Sequence, residues 1–458
     1  MNASRRQFFK ALSAAGFWSG AKFPLDAADR PKKDMIVRSA RPLDLEMPLD
    51  GFSTWITPVE RFFVRSHMYI PKVDAATWRL KIEGEVETPL SLSLDDLKKL
   101  PRTELVSVLE CAGNGRSFYE PGLIGMQWTH GAVGNGRWAG VRLADLLTKA
   151  GMKASAREIL FNGADVPIGT MPDFVRTVPV GKSLDPNTLL AYEMNGEPLS
   201  EAHGFPLRAV VPGWAGDSWV KWLTNIEVRD KEFDGFFMKT AYRYPVRPVA
   251  PGAVVDPADL APLEAIRPKS VIASPLAGAR VGQGVPVTIR GAAWAGAAPV
   301  ARVEVSTDSG RTWQNARLGS ERARYGWRLF EHNWTPPGPG SYVLMSRTTD
   351  GSGATQPFAQ DWNPSGYQWN VVHQVRVEVG SATAAPPPAP GTAKPEYPEK
   401  VKAACIGCHE ADIIEGQRLT RAQWDREVTK MTGWGAKVAP ADRDELLEFL
   451  ARQFSTRR

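Results

Sequence analysis

A stretch rich in alanine and proline divides this chain into two unequal parts. Residues 381–399 read SATAAPPPAPGTAKPEYPE and show neither a helical nor a strand periodicity. This composition predicts a semi-rigid linker that reaches ~3 Å per residue when extended. The segment that follows, residues 400–458, is small for a domain stabilised by a hydrophobic core alone, so we expect a covalent or metal staple there.

A short motif near the start of that segment predicts the staple. The stretch CIGCH at 405–409 is the C-x-x-C-H pattern of covalent haem attachment, in which two thiols bond the porphyrin and the histidine ligates iron. A zinc site would need more ligands, and a thioredoxin-like dithiol would need a βαβ setting. A plain disulfide turn is the remaining alternative. The motif therefore predicts an all-α cytochrome c domain over 400–458, with haem c on Cys405 and Cys408 and His409 as an iron ligand.

The second axial ligand is predicted on a helix of the same segment. Thr420 and Gln423 form a capping box at its start, and Trp424, Val428 and Met431 recur on one face. A methionine on an apolar face is often an ordinary core residue. Because no other methionine occurs in this segment, we favour a thioether bond to the haem iron.

The N-terminus resembles an export signal. Arg5 and Arg6 precede a mildly apolar run at 11–18, which is the twin-arginine pattern, and we assign residues 1–28 to it. A disordered basic tail is the alternative. The apolar run is shorter than the about 20 residues of a membrane-spanning helix. We expect a mature protein that is periplasmic and has no membrane span.

Charge and cysteine content limit which partners and cofactor sites are expected. The 458 residues carry a formal charge of +6, part of which lies in the export segment, and no basic run or basic helix follows. Nucleic acid is therefore not expected as a partner. The three cysteines cannot all form disulfides, and Cys111 stands far from Cys405 and Cys408. This separation predicts two distinct cofactor sites.

The part before the linker changes its pattern near residue 261. Residues 29–260 mix short strand-like runs with helical stretches at 93–100 and 143–147, which predicts an α+β domain. Over 261–380, apolar and polar residues alternate, as at 285–290, with turn residues between the runs. Such alternation is typical of an immunoglobulin-like β-sandwich.

Several stretches of these two domains resemble one enzyme family. They are FFVRSH (62–67), ECAGNGR (110–116), RWAGVRLADLL (137–147), the run at 190–223, VEVSTDSGRTW (303–313) and DWNPSGYQWNVV (361–372). Their content and order resemble the sulfite oxidase family of molybdenum enzymes. The resemblance implies a molybdopterin-binding oxidoreductase domain followed by a dimerisation domain, and hence a homodimer or part of a sulfur-oxidising complex.

The resemblance also implies catalytic residues. Cys111 matches the single protein ligand of molybdenum, where a soft thiolate suits a metal that changes oxidation state. A buried structural thiol is the alternative. Arg65 and Arg116 match arginines that face an oxyanion substrate. Trp128 and Tyr242 match an aromatic wall and a phenol near the metal, although Tyr244 is an alternative to Tyr242.

Further matches are implied to hold the pterin and its phosphate. A cationic pocket suits a phosphate, although each of these residues read alone could be an ordinary salt-bridge residue. The matches are His67, Asp165, His203, Arg208 and Lys221. One departure stands out: vertebrate members have an arginine in the segment matching 361–366, where this chain has Ser365. A third cationic contact to the substrate is therefore in doubt.

These features together predict a periplasmic sulfite dehydrogenase. Sulfite would be oxidised to sulfate at the molybdenum cofactor, and electrons would pass through the C-terminal haem to a soluble cytochrome c. One alternative is a sulfane dehydrogenase subunit of a thiosulfate-oxidising complex, which would need a partner carrying the sulfur. Another is a non-enzymatic electron carrier whose larger part only binds partners.

Overall fold

The computed structural model describes residues 34–380, 395–406 and 408–456. The export signal assigned to 1–28 lies outside these residues, as do most of the linker and Gly407 of the C-x-x-C-H motif. Three units are described below: the first unit (34–262), the β-sandwich (269–380) and the helical unit (395–456).

The first unit is a mixed α+β structure, as predicted. Its strands are β1 (Ile36–Ala40), β2 (Leu43–Glu46), β3 (Leu80–Gly84), β4 (Leu90–Leu92), β5 (Thr103–Glu110), β6 (Val133–Arg142), β7 (Glu158–Gly163), β8 (Arg176–Pro179), β9 (Leu189–Met194), β10 (Glu197–Pro198), β11 (Arg208–Val210), β12 (Leu223–Arg229), β13 (Arg243–Pro245) and β14 (Leu260–Pro262). Its α-helices are α1 (Leu94–Lys98), α2 (Leu143–Ala150), α3 (Val180–Ser183) and α4 (Phe236–Lys239).

Two five-stranded sheets organise this unit. One has the order β10-β9-β6-β5, with β11 also paired to β9, and the other has the order β4-β3-β12-β7-β8. Strand β14 crosses the predicted domain boundary at 260 because it pairs with β13. Helix α2 follows β6 directly and buries Leu143, Leu146 and Leu147 in the core, and it ends at Gly151, whose φ of 68° is left-handed.

The β-sandwich consists of two sheets, in agreement with the alternating pattern. Its strands are β15 (Lys269–Ser274), β16 (Arg280–Gly282), β17 (Val287–Trp294), β18 (Val300–Ser306), β19 (Gln314–Asn315), β20 (Arg317–Leu318), β21 (Arg328–Trp334), β22 (Gly340–Asp350) and β23 (His373–Gly380). The sheet orders are β15-β17-β21-β20 and β16-β23-β22-β18-β19, and their apolar faces meet in a common core. Val285, predicted within a strand, instead lies in the exposed turn before β17.

The connection between β22 and β23 reaches into the first unit. The Gln368 amide donates to the Ala112 carbonyl at 2.8 Å. The Tyr119 hydroxyl donates to the Tyr367 carbonyl at 2.6 Å, and the Asn363 side chain donates to the Tyr119 oxygen at 2.9 Å. Because these are buried hydrogen bonds, the β-sandwich and the first unit share one packed interface beside the Cys111 turn.

The helical unit contains α5 (Glu399–Cys405), α6 (Asp412–Glu415), α7 (Arg421–Gly433) and α8 (Arg443–Gln453). The predicted capping box is present: Thr420 Oγ1 accepts from the Gln423 amide, and Gln423 accepts from the Thr420 amide. Trp424 and Val428 on α7 pack against Leu450 on α8 in a separate small core. Within the residues that the structure describes, no helix is both long enough and apolar enough to cross a membrane.

Hydrogen bonds between side chains of one unit and main-chain groups of the other help to dock the helical unit on the first unit. Gln423 Nε2 donates to the Gly122 carbonyl at 2.7 Å, and Thr170 Oγ1 donates to the Gly433 carbonyl at 2.7 Å. On the opposite side, the Ala40 amide donates to Asp412 Oδ2 at 2.8 Å. We call these contacts the docking surface.

Gly122 offers a test of the docking surface. A Cβ at this position would lie 2.6 Å from the Arg418 carbonyl oxygen, so Gly122→Ala should displace the helical unit. We expect a larger radius of gyration in small-angle X-ray scattering. Gly181→Ala, where a Cβ meets nothing within 4 Å, is the control. Identical scattering of the Gly122 variant and the wild type would contradict the docked arrangement.

Candidate functional site

Cys111 lies in a tight turn directly after β5. The Cys111 amide donates to the Ala132 carbonyl at 2.9 Å, and the Asn114 amide donates to the Cys111 carbonyl at 2.9 Å. Gly115 continues the turn with a left-handed φ of 94°, and a Cβ there would lie 2.6 Å from the Trp369 side chain. Only glycine fits this position. The turn therefore holds the thiol at a fixed place at the end of the sheet.

Cys111 lines a cavity in the first unit. Most of the residues that the sequence implied for the site are brought together in its wall: Arg65, His67, Cys111, Asp165, His203, Arg208, Lys221 and Tyr242. They come from the loop before β3, the turn after β5, the loop after β7, the segment around β11 and the loop before β13. The fold thus gathers residues that are far apart in the chain.

Two cations of this cavity lack a carboxylate in ion-pair contact within the described part of the chain. Arg208 donates from Nη1 to the His203 carbonyl at 3.0 Å and from Nη2 to the Trp219 carbonyl at 3.1 Å, and burial lowers its pKa to about 9. Lys221 Nζ donates to Ser66 Oγ at 3.2 Å, and burial together with Arg208 lowers its pKa to about 7. A positive charge buried without an ion-pair partner is costly, so the cavity fits an anionic group such as a phosphate.

Arg65 is paired to a carboxylate that the sequence did not reveal. Its Nη1 lies 3.0 Å from Asp44 Oδ2, and the Ser66 amide donates to Asp44 Oδ1 at 2.8 Å. Asp44, in β2, is 1% exposed. This pair orients the guanidinium and fixes the backbone next to it. No sequence signal marked Asp44, because it lies outside the motifs and meets Arg65 only through the fold.

His67 and Tyr242 form the polar edge of the cavity. The Tyr242 hydroxyl and His67 Nε2 are 2.7 Å apart, and the imidazole stacks on Phe174 with 4.3 Å between ring centroids. Burial and the nearby Arg65 and Lys221 charges lower the pKa of His67 well below its ordinary value. Burial raises the pKa of Tyr242 well above its ordinary value. The phenol therefore keeps its proton and shares a hydrogen bond with a neutral imidazole.

Tyr242 also has an unusual backbone. Its φ is 57°, in the left-handed region that an aromatic residue rarely adopts. Its ring stacks on Tyr367 of the β22–β23 connection at 5.3 Å. The alternative Tyr244 lies outside the cavity, where its hydroxyl donates to the Asp361 carbonyl at 3.3 Å. Tyr242 is therefore the tyrosine of the site.

Two implied residues are not in the cavity wall. Arg116 donates from Nε to the Ser365 carbonyl at 2.9 Å and from Nη1 to the Met126 carbonyl at 3.0 Å. These main-chain oxygens hold its guanidinium outside the cavity wall. Its charge still acts on Cys111 by lowering the pKa of the thiol, which burial raises. Trp128 is 0% exposed in the hydrophobic core and does not line the cavity, so its implied role as an aromatic wall stays a prediction.

A second buried ion pair was also missed by the sequence analysis. Arg176 Nη2 lies 2.5 Å from Asp217 Oδ2, and Arg176 also donates to the Phe237 carbonyl. Asp217 lines the cavity, and burial raises its pKa to about 6 despite Arg176. Burial likewise raises the pKa of the nearby Asp165 to about 6. The cavity therefore contains carboxyl groups whose charge is sensitive near neutral pH.

A larger cavity lies between the helical unit and the first unit. Cys405, Cys408, His409 and Met431 all line it, together with Trp424 and Val428 of α7. His409 Nδ1 donates to the Glu410 carbonyl at 3.0 Å, which leaves Nε2 as the free ring nitrogen. The first unit completes the wall with residues that the sequence did not assign to it, including Met126 and Met171.

The two cavities share a wall. Arg65, Ser66 and His67 line both the cavity with Cys111 and the cavity with Cys405 and Cys408. Residues 65–67 thus separate the buried cations of the first cavity from the C-x-x-C-H residues of the second.

Lys221 predicts a measurable pH dependence of stability. In the protein without cofactor its folded pKa of about 7 lies below the ordinary 10.5, so the unfolded chain binds more protons between these pH values. Its contribution to the free energy of unfolding therefore rises from pH 7 toward pH 10, by at most about 1.4 kcal/mol per pH unit. Thermal unfolding of wild type and Lys221→Met at pH 7 and pH 9 measures the difference. If stability depends on pH equally in the two proteins, the lowered pKa of Lys221 is contradicted. Binding of an anion should reduce the pH dependence of the wild type.

Family models match the first two units. The oxidoreductase molybdopterin binding domain matches residues 67–237, and the Mo-co oxidoreductase dimerisation domain matches residues 262–380. Neither match extends into the helical unit.

Curated proteins and solved structures are similar over most of the chain. Mitochondrial sulfite oxidase of Rattus norvegicus is 37% identical over 380 residues, covering 78% of this chain and 69% of its own. Sulfite oxidase of Arabidopsis thaliana is 31% identical, covering 74% of this chain and 90% of its own. The crystal structure of the sulfane dehydrogenase SoxCD from Paracoccus pantotrophus has a TM-score of 0.66 at 29% identity, covering 80% of this chain and 93% of that one. The chain is a member of the sulfite oxidase family of molybdopterin-binding oxidoreductases.

Proposed function

We propose that this protein is a periplasmic sulfite dehydrogenase that passes electrons from sulfite through a C-terminal haem c to a soluble cytochrome c. One observation carries the proposal: the cavity with Cys111 and the cavity with the C-x-x-C-H residues share the wall formed by residues 65–67. Two redox cofactors on either side of one strip of backbone are close enough for direct electron exchange.

The first cavity fits a molybdenum–molybdopterin cofactor. Cys111 is a soft ligand in a fixed turn, and Arg208 and Lys221 provide the positive charge that the phosphate of the pterin requires. When bound, this cofactor supplies oxygen-atom transfer and takes up two electrons. The protein contributes the binding, the charge and the exclusion of water around it.

The residues at the edge of the cavity fit a small oxyanion. Arg65, oriented by Asp44, supplies a guanidinium that binds sulfite, and Arg116 adds positive charge from behind the wall. Tyr242 holds a proton at its hydroxyl, which lies 2.7 Å from His67 Nε2. If the hydroxyl turns from His67 toward the anion, it can donate a hydrogen bond to an oxygen of sulfite or sulfate while the imidazole stays neutral.

The second cavity fits a haem c. Cys405 and Cys408 are free thiols that would form the thioether bonds, and His409 presents Nε2 to the iron. Met431 on α7 is the proposed second axial ligand, because it lines the same cavity. A haem held by these residues would supply one-electron transfer between the first cavity and an acceptor.

The location and the assembly rest on separate observations. The twin-arginine pattern in residues 1–28 supports export to the periplasm, a route that suits proteins folded around a cofactor. The match of the β-sandwich to a dimerisation domain supports a homodimer. A soluble cytochrome c is the proposed acceptor, because a haem c held by Cys405, Cys408 and His409 would pass electrons singly.

Cys111→Ser tests the molybdenum site. Haem reduction by sulfite in the purified chain, followed by absorbance, should fall to the background rate because the metal loses its protein ligand. Dithionite should still reduce the haem of this variant, which controls for an intact haem site. Unchanged reduction by sulfite would instead favour an electron carrier with no molybdenum chemistry.

Met431→Leu tests the proposed axial ligand. Loss of a thioether ligand should lower the haem potential by on the order of 100 mV and change the absorption spectrum of the oxidised haem. Met126→Leu and Met171→Leu, which alter the same cavity from the first unit, are matched controls. A spectral change in one of these controls and not in Met431→Leu would move the ligand to the first unit.

Sulfane oxidation is the second candidate, and the similarity to the sulfane dehydrogenase SoxCD favours it. The two functions differ in what the isolated chain can do. A sulfite dehydrogenase reduces cytochrome c with sulfite and needs no other protein. Turnover only after addition of a protein that carries bound sulfane sulfur would support the second candidate.

A further inference from the structure

We propose that Lys269 of the β-sandwich is a positioning residue for the Cys111 thiol. This inference rests on the proposed function of Cys111 as a metal ligand. It concerns how the turn that carries the ligand is held, and the support comes from a different unit of the protein.

The starting observation is a buried polar cluster at the junction of the first unit and the β-sandwich. Its members are Glu110, Asn114, Lys269 and Trp294, none more than 6% exposed. Glu110 is the last residue of β5 and immediately precedes Cys111, while Lys269 and Trp294 face each other in the β15–β17 ladder. The end of one sheet of the β-sandwich therefore meets the end of the strand that leads into the turn.

The carboxylate of Glu110 is the centre of this cluster. Its Oε1 accepts from Lys269 Nζ at 3.0 Å and from Asn114 Nδ2 at 2.9 Å, and its Oε2 accepts from Trp294 Nε1 at 2.7 Å. Among the residues that the structure describes, Lys269 is the one cation in ion-pair contact with Glu110. Breaking a buried ion pair from one side leaves the other charge uncompensated.

The cluster also holds the far end of the turn. Lys269 Nζ donates to the Asn114 carbonyl at 3.2 Å, and Asn114 Oδ1 accepts from the Ala132 amide at 3.2 Å. Cys111 itself donates its amide to the Ala132 carbonyl. Lys269 thus contacts Glu110, which precedes the Cys111–Asn114 turn, and Asn114, which ends it. A shift of its ammonium group would change the direction of the Cys111 side chain.

Thiol labelling in the cofactor-free protein tests this without any activity measurement. The full chain, prepared without molybdenum cofactor, is treated with iodoacetamide, and alkylation of the Cys111 peptide is followed by mass spectrometry. For Lys269→Met we expect alkylation of Cys111 to be faster by roughly tenfold, because a charge-assisted buried hydrogen bond is lost. Peptide mapping separates Cys111 from Cys405 and Cys408 whether or not haem is attached.

Arg347→Met is the matched control. Arg347 pairs with Glu304 inside the same β-sandwich, at 2.9 Å, and in the described part of the chain its side-chain hydrogen bonds go to Glu304. The Arg347→Met variant should lose stability without a change in the rate of Cys111 alkylation. Equal alkylation rates in wild type, Lys269→Met and Arg347→Met would overturn the proposal and leave Lys269 with a purely structural role.

A second variant covers the case in which Lys269→Met does not fold. Trp294→Phe removes one hydrogen bond to Glu110 and keeps an aromatic ring, and it should also speed Cys111 alkylation. In the cofactor-loaded enzyme, the same variants should shift the absorption of the metal–thiolate bond, with Arg347→Met unchanged. Because alkylation needs no turnover, failure of this inference is distinguishable from failure of the proposed sulfite chemistry, which would leave the alkylation result intact.

Discussion

The first cavity is organised by buried positive charge that the protein does not fully neutralise. Asp44 compensates Arg65 and Asp217 compensates Arg176, whereas Arg208 and Lys221 contact main-chain and hydroxyl oxygens. Burial disfavours such cations, as the lowered pKa values of Arg208 and Lys221 indicate. An anionic cofactor removes this penalty, so its binding free energy is in part folding free energy. Binding of the anionic cofactor should therefore stabilise the folded protein.

The same charges set the protonation of their neighbours. His67 stays neutral because it is buried beside cations, and Tyr242 stays protonated because its phenolate would be buried. The two groups share one hydrogen bond, in which the phenol is protonated and the imidazole is neutral. The edge of the site thus carries polar groups without a formal charge of their own.

The sequence predicted the architecture well, because the relevant patterns are local. Alternation in the β-sandwich and the capping box of α7 are visible within short windows, and both are present. The resemblance placed most of the cavity residues. Trp128 and Arg116 do not line the cavity, because their side-chain directions are set by packing and by the carbonyl of Ser365 from another unit. Asp44 and Lys269 gave no signal because their partners are distant in the chain.

The docking surface has a further consequence, for the response to salt. In the described residues, one ion pair joins the helical unit to the first unit, Arg41 with Glu410 at 3.6 Å, and both side chains are partly exposed. The other named contacts are hydrogen bonds that involve main-chain groups. Ionic strength weakens exposed charge pairs far more than such hydrogen bonds. The docking of the helical unit on the first unit should therefore change little with ionic strength.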